Sequence, residues 1–256
     1  MGALLNLFLA FEVSLIRYHP RLADRPSCER APWPFLLEAH GEQQVGVAGA
    51  LLSAVIGAFV GVLAGYLGGR LDAVLMRFAD GVISLPLLPL LIVLAAIDPR
   101  KLGVPEAVAQ SESFSLYRIV VIVSLVGWTT VARLVRAETL SLKQRDFARA
   151  ARALGASPAR IMLRHILPNT AGSLVVATTM SVGSLILLES TLSFLGLGIQ
   201  PPAASWGNML TGAQELLYQA PVLAVWPGLL IFLTVIAFNF VGDGLQDALD
   251  PRSERR

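Results

Sequence analysis

Long uncharged apolar runs constrain the fold of this chain more than any other feature of its sequence. Residues 45–67 and 220–242 are two runs of 23 residues without a charged side chain. As helices they would each extend roughly 35 Å, enough to cross a hydrocarbon core of about 30 Å. Three more apolar runs reach spanning length with their flanks, at residues 81–97, 119–132 and 171–188. The sequence therefore predicts an all-α integral membrane protein with five transmembrane helices.

The composition and the amino terminus refine this prediction. Charged residues are only 15% of the chain, against about 25% in an average soluble domain, so a soluble enzyme is the last of the alternatives. The single cysteine, Cys28, excludes a disulfide-stapled secreted module. Residues 1–16 are apolar but interrupted by Glu12. They lack a positive region and a cleavage pattern, so we interpret them as a weak first transmembrane helix and not as a signal peptide.

The basic residues predict the orientation. The loop 136–168 carries seven Lys and Arg residues, whereas residues 199–221 carry none. Cytoplasmic loops are enriched in Lys and Arg, so we expect the loop 136–168 and the carboxyl terminus to be cytoplasmic. This arrangement places twelve basic residues inside and three outside, in residues 98–118. Four arginines in residues 17–44 do not fit this orientation, because the order of the spans places that segment outside.

Small residues recur every fourth position along one face of the second predicted span. They are Gly49, Ser53, Gly57, Gly61 and Gly65. Small side chains at this spacing let another helix backbone approach closely. We therefore predict helix packing along this stripe and assign it no ligand.

The loop 136–168 has the pattern of two short amphipathic helices. One helical stripe is apolar, with arginines nearly opposite, and it consists of Leu140, Phe147, Ala151 and Leu154. Gly155 suits the left-handed position that ends a helix. Ser157 and Pro158 are an N-cap and a first-turn proline. We expect a second short helix to begin there and to stop before Pro168.

Three hypotheses explain such a basic loop. It could lie on anionic lipid, where each Lys or Arg contributes about 1 kcal/mol. It could bind a partner helix in the manner of a calmodulin target. It could also insert into a groove of a cytoplasmic motor subunit. Physical chemistry alone slightly favours membrane lipid, because basic segments beside membrane spans are common.

A family resemblance favours the third hypothesis. Residues 149–151 with Gly155, followed by residues 166–168, resemble the EAA loop of ABC-importer permeases. Other segments are similar to permeases of the dipeptide/oligopeptide/nickel family, and they are residues 65–69, 72, 76–77, 80, 86, 150–157, 164–169, 192–198, 200–202, 205–207, 238–239, 242–245 and 250–251. The similarity covers residues 45–251 and resembles the second, C-type permease subunit of the peptide group.

The resemblance implies a type I ABC-importer permease architecture in the bacterial cytoplasmic (inner) membrane. It divides the chain into a diverged amino-terminal region (1–44), a transmembrane permease domain (45–251) and a cytoplasmic tail (252–256). The implied partners are a companion permease subunit, two ATP-binding cassette subunits and an extracytoplasmic substrate-binding protein, with no nucleic acid. The implied cargo is a peptide or related small solute, and the choice among dipeptide, oligopeptide and nickel stays open.

ATP chemistry is expected on the partner chains. No G-x-x-x-x-G-K-[ST] sequence is present, and the two lysines are Lys101 and Lys143. A Walker A loop needs that pattern, so ATP and Mg are assigned to the cassette subunits. We assign this chain no cofactor, catalytic residue or metal ligand.

The resemblance implies that the loop couples this chain to the ATPases. The coupling residues it implies are Arg149, Ala150, Ala151, Gly155, Ser157, Pro158 and Pro168. Gly155 would supply the turn, and Ala150 and Ala151 the close approach. Two departures from the family support an alternative, an assembled but uncoupled remnant: Arg149 stands where the motif has glutamate, and the stretch before the second span lacks the family's Gly-Thr-Asp and Gly-Arg-Asp sequences.

Two polar residues lie within predicted spans. A carboxylate at the depth of Glu189 costs on the order of 2.5–3.5 kcal/mol, so it must face a cavity or a partner. We favour a structural role over pathway lining for Glu189, and helix–helix contact for Asn239. A secondary transporter is a further alternative, but such proteins usually carry several midplane ionisable residues and two similar halves.

Overall fold

The computed structural model describes residues 41–109, 111–200, 205–214, 216–218 and 220–249, and the weak first span predicted at 1–16 lies outside them. The regular elements of this part of the chain are all helical. We number the α-helices α1 (Gly41–Leu67), α2 (Gly69–Ser84), α3 (Leu87–Ala96), α4 (Glu106–Ala109), α5 (Glu112–Leu142), α6 (Asp146–Ala153), α7 (Pro158–Ile161), α8 (Leu167–Phe194), α9 (Trp206–Gln214) and α10 (Val222–Leu249).

The number of spans agrees with the prediction, but one span is bent. Among the described residues, four helical stretches are long and apolar enough to cross a membrane: Gly41–Leu67, Ser113–Leu142, Pro158–Phe194 and Val222–Leu249. The pair α2 and α3 makes a fifth if it is counted as one span, with a bend of 89°. The apolar run 81–97 is therefore not one straight helix. The break falls at Pro86, which precedes α3 and disfavours a helical conformation in the residue before it.

Helices α1 and α5 pack along the predicted stripe of small residues. A Cβ atom on Gly57 would lie 2.6 Å from Cβ of Val131 and 2.7 Å from the carbonyl oxygen of Trp128. One on Gly61 would lie 2.6 Å from the carbonyl oxygen of Ala132. Real side chains do not approach so closely, so only glycine permits this separation of the two backbones. The prediction of close helix packing is confirmed.

The helix after the loop does not stop before Pro168. Helix α7 continues into a π-helical segment, Met162–Ile166, and this segment continues into α8 with Pro168 in its first turn. Pro168 has no N–H to donate, and the wider π-type hydrogen bonding just before it is a usual way to accommodate an irregular position inside a helix. The predicted end of this helix is therefore wrong, and α7 joins the loop directly to a span.

Candidate functional site

The turn of the loop has the predicted chemistry. Gly155 has φ +79°, its N–H donates to the carbonyl of Arg152 (3.0 Å), and the N–H of Ala156 donates to the carbonyl of Ala151 (3.0 Å). This pair of bonds is a Schellman motif, which favours glycine at the left-handed position. The turn therefore fixes the angle at which α6 meets the next helix.

The next helix begins at the predicted N-cap. Oγ of Ser157 accepts a hydrogen bond from the N–H of Arg160 (3.4 Å), and Pro158 occupies the first helical position. Both features are local, because a cap needs only the side chain and an amide three residues later. The predicted beginning of this second loop helix is confirmed.

The predicted apolar stripe is only partly buried. Its member Ala151 packs, with Ala156, against a cluster that includes Val135 of α5, and Ala148 beside the stripe is fully buried. Leu154, which is also a member of the stripe, is 88% exposed. The buried positions of α6 are therefore alanines, whose small side chains permit close contact.

The remaining residues of the loop divide between the two faces. Phe147 is 39% exposed and lies 6.5 Å from His165, centroid to centroid. Arg149, Ala150, Ser157 and Pro158 are exposed. The loop thus presents an apolar tip, Leu154, among basic and small residues.

Charged groups join the loop and the end of α5 to other helices. Nε and Nη2 of Arg136 donate to the two carboxylate oxygens of Asp72 at 2.5 and 2.7 Å, which joins α5 to α2. Nζ of Lys143 donates to the carbonyl oxygen of Gly65 (2.7 Å), at the end of α1. The guanidinium of Arg152 lies 5.7 Å from the centre of the Tyr66 ring. The sequence does not indicate these pairs, since residue type alone does not show which carboxylate, carbonyl or ring a basic side chain contacts.

The Asp72–Arg136 pair is expected to contribute measurably to stability. The side chains are 16% and 32% exposed, and hydrogen bonds between charged groups in such settings contribute about 1.5–3 kcal/mol. Asp72→Asn should lower the free energy of unfolding by this amount, measured by denaturant titration in detergent. Asp80→Asn is the control, because the Asp80–Arg133 pair is about half exposed on both sides and such pairs contribute below about 1 kcal/mol. Equal losses for both variants would contradict this ranking.

Glu189 lies at the other end of the bundle, near the end of α8. It is fully buried, and Oγ of Ser193 donates to its Oε1. The same Oγ accepts from the N–H of Ile199 (3.0 Å), in the segment after α8. The bond from Ser193 is within one helix, so the partner is local and not on another helix. The structural role of Glu189 stays a prediction.

Asn239 of α10 lies beside Gly183 of α8. A Cβ atom on Gly183 would be 3.4 Å from Oδ1 of Asn239. Asn239 itself is exposed, so the contact involves one side of the amide. Helix–helix contact by Asn239 stays a prediction.

Glu42 is a buried carboxylate that sequence analysis missed. It is fully buried near the start of α1, and its Oε1 accepts from the N–H of Gly207 in α9 (3.1 Å). Its only sequence signal is its position just before a 23-residue uncharged run. That position does not reveal the partner, which is 165 residues away in the chain.

A cavity of about 950 Å³ lies between α1 and α8 on the side of the loop. Its lining is apolar except for Thr178 and Thr179, whose hydroxyls donate to the carbonyls of Leu174 (2.6 Å) and Val175 (3.0 Å) in their own helix. Ligand sites usually add a few converging polar groups to an apolar lining. Both threonine hydroxyls of the lining already donate their hydrogen atoms within α8. The cavity therefore suits an apolar chain better than a peptide, whose carbonyl groups need hydrogen-bond donors.

Comparison with known proteins identifies related sequences. The profile of the family described as binding-protein-dependent transport system inner membrane component matches residues 57–255. A protein of Brucella ovis provisionally named a peptide permease is 43% identical over 72% of this chain and 57% of its own length. The glutathione transport system permease protein GsiD of Shigella flexneri is 44% identical over 71% of this chain and 55% of its own length. This chain thus spans just over half the length of these relatives.

Solved structures share the fold. An inward-facing conformation of the MetNI methionine ABC transporter matches with a TM-score of 0.68 and 19% identity, covering 88% of this chain and 100% of the matched chain. An amino acid ABC transporter crystallised with histidines matches with a TM-score of 0.58 and 15% identity, covering 93% and 98%. At these identities the likeness concerns the fold alone, and the shared fold is that of an ABC-importer membrane subunit.

Proposed function

Since this chain belongs to the family of binding-protein-dependent transport system inner membrane components, we propose that it forms half of the pore of an ATP-driven importer for peptides or related small solutes. The observation that carries the proposal is the exposed loop tip at Leu154, held by a fixed turn and attached to α1 through Lys143 and to the cluster that includes Val135 of α5. An attached, protruding helix is what a pore subunit needs to receive force from a motor subunit.

The loop would act as a lever. A push on Leu154 would reach the cluster that includes Val135 of α5 through Ala151, and α1 through Lys143. From α5 it would pass to α2 through the Arg136–Asp72 pair. Because these contacts are bidentate, charged or closely packed, the loop and the three spans would move together. Rigid-body movement of this kind is a common way to switch a pore between two states.

The substrate class follows from the relatives. The Brucella protein is named for peptides and GsiD for glutathione, a tripeptide-like solute. Recognition would then lie mainly with a separate extracytoplasmic binding protein, and the pore would pass what that protein delivers.

The exposed arginine at position 149 bears on coupling. Arg149 sits one turn before the loop tip on the exposed side of α6. We infer that the facing surface of the ATPase is neutral or acidic there, because an exposed basic group would repel a basic groove. An uncoupled remnant remains the alternative if the ATPase of the host carries a basic surface at this contact.

The first test is a detergent pull-down of the tagged full-length chain from its native host, with Gly155→Leu alongside. A non-glycine residue in the left-handed conformation costs about 1–2 kcal/mol, so the variant should lose most of the bound ATPase. Mass spectrometry should find a second permease and two ATPase chains with the parent chain. Absence of any ATPase with the parent chain would overturn the coupled importer in favour of the remnant.

A further inference from the structure

The short helix α9 begins inside the bundle, where its first amides need acceptors. The first backbone N–H groups of any helix lack partners within the helix, and leaving them unpaired in a buried site is costly. Trp206 and Gly207 are both buried, and α9 contains no acidic or basic residue in its first or last turn. Oγ of Ser205, the residue before α9, accepts from the N–H of Asn208 (3.3 Å). The N–H of Gly207, in contrast, takes its acceptor from another part of the chain.

Glu42 supplies that acceptor from α1. Its Oε1 accepts from the N–H of Gly207 (3.1 Å), in the first turn of α9. Glu42 thus supplements the cap that Ser205 provides, although it lies 165 residues from Gly207 in the chain.

Further contacts seat α9 against the end of α8. Gly207 packs so closely on Ser190 that a Cβ atom would meet the Ser190 carbonyl. Oγ1 of Thr211 donates to the carbonyl of Phe194 (2.7 Å), and Nδ2 of Asn208 donates to the carbonyl of Ile199 (2.6 Å). These contacts join α9 to α8 and to the segment that follows it, whereas Glu42 joins α9 to α1.

We propose that Glu42 is a positioning residue that keeps α9 docked by accepting the hydrogen bond from the Gly207 amide in its first turn. Helix α1 is then attached at both ends, to α9 through Glu42 and to the loop through the Gly65–Lys143 contact. A helix of 27 residues is about 40 Å long, so α1 connects the two ends of the bundle. The consequence for transport rests on the proposed function: movement of the loop would reach α9 at the substrate-entry end.

The test measures how well α9 protects a buried thiol. In the full-length chain with Cys28→Ser, Ala213→Cys places one thiol on the buried face of α9. Labelling with a maleimide in native-host membranes should be roughly tenfold faster with Glu42→Ala, a factor that corresponds to about 1.4 kcal/mol. With Glu42→Gln the rate should stay within about twofold of the parent, because the amide oxygen still accepts a hydrogen bond.

Controls separate local release of α9 from general unfolding. Gln44→Ala changes an exposed residue in the same turn and should leave the labelling rate unchanged. A second thiol at Ala79, fully buried in α2, should label at the same rate with Glu42 and with Glu42→Ala. Equal acceleration at both thiols, no acceleration at Ala213→Cys, or equal effects of Ala and Gln at position 42 would each overturn the proposal.

The labelling experiment and the pull-down test the two proposals separately. If no ATPase co-purifies, the proposed function fails, while faster labelling with Glu42→Ala still supports the docking role. If ATPases co-purify and Glu42→Ala labels like the parent chain, the docking role fails alone.

Discussion

Replacing Leu154 with aspartate is expected to reduce the amount of co-purified ATPase by about 30-fold or more, which corresponds to about 2 kcal/mol, the usual threshold for a dominant interface residue. Leu154 is 88% exposed at the tip of the turn. A large apolar side chain in that position buries little surface within this chain. We therefore expect it to stabilise the complex with a partner that covers it. Aspartate would leave a charge in the covered site. The measurement is quantitative mass spectrometry of the pull-down.

Two controls accompany the Leu154 variant. Leu154→Met keeps the volume and apolar character, so it should retain at least half of the bound ATPase. Val108→Asp places the same charge on an exposed residue beyond the other end of the bundle and should have no effect. Loss of ATPase with Val108→Asp, or full binding with Leu154→Asp, would contradict the assignment of this tip to the interface.

Gly61→Ala is expected to lower the free energy of unfolding by about 3 kcal/mol, at the upper end of the cost of inserting one carbon into a packed site. The new Cβ would lie 2.6 Å from the carbonyl oxygen of Ala132, 2.8 Å from Cβ of Val135 and 3.0 Å from the amide nitrogen of Arg136. Two of these atoms are backbone, so no side-chain rotation relieves the overlap and α1 must separate from α5. Denaturant titration in detergent measures the loss.

Gly228→Ala is the matched control. Gly228 lies within α10, and nothing approaches a Cβ atom there within 4 Å. Alanine is favoured over glycine in a helix by up to about 1 kcal/mol, so this variant should be as stable as the parent chain or slightly more so. A similar loss for both variants would mean that the glycines of α1 are not held against α5 as described.

Features that depend on neighbours in sequence were predictable. The spans follow from uncharged length, the turn from Gly155, and the cap from Ser157 and Pro158, since each involves residues within one or two turns of helix. The packing of α1 was also visible, because small residues at every fourth position leave space on one face whichever helix fills it. The identity of that helix, α5, was not indicated.

Features that depend on tertiary contact were not predictable. Hydrophobicity placed Ala151 and Leu154 on one stripe, yet only Ala151 packs inward and Leu154 is exposed, because close packing selects small side chains. Glu42 and Asp72 have partners 165 and 64 residues away. No local pattern distinguishes such acids from ordinary surface residues.

The glycine stripe of α1 also restricts how the length of this helix can change during evolution. Each residue of an α-helix turns the chain by about 100°, so one residue inserted between Gly49 and Gly57 would rotate Gly57, Gly61 and Gly65 away from α5. The contacts before the insertion and after it could not then be satisfied together. Substitutions at exposed positions of α1, such as Val55, should be tolerated far more readily than a single insertion or deletion anywhere along the stripe.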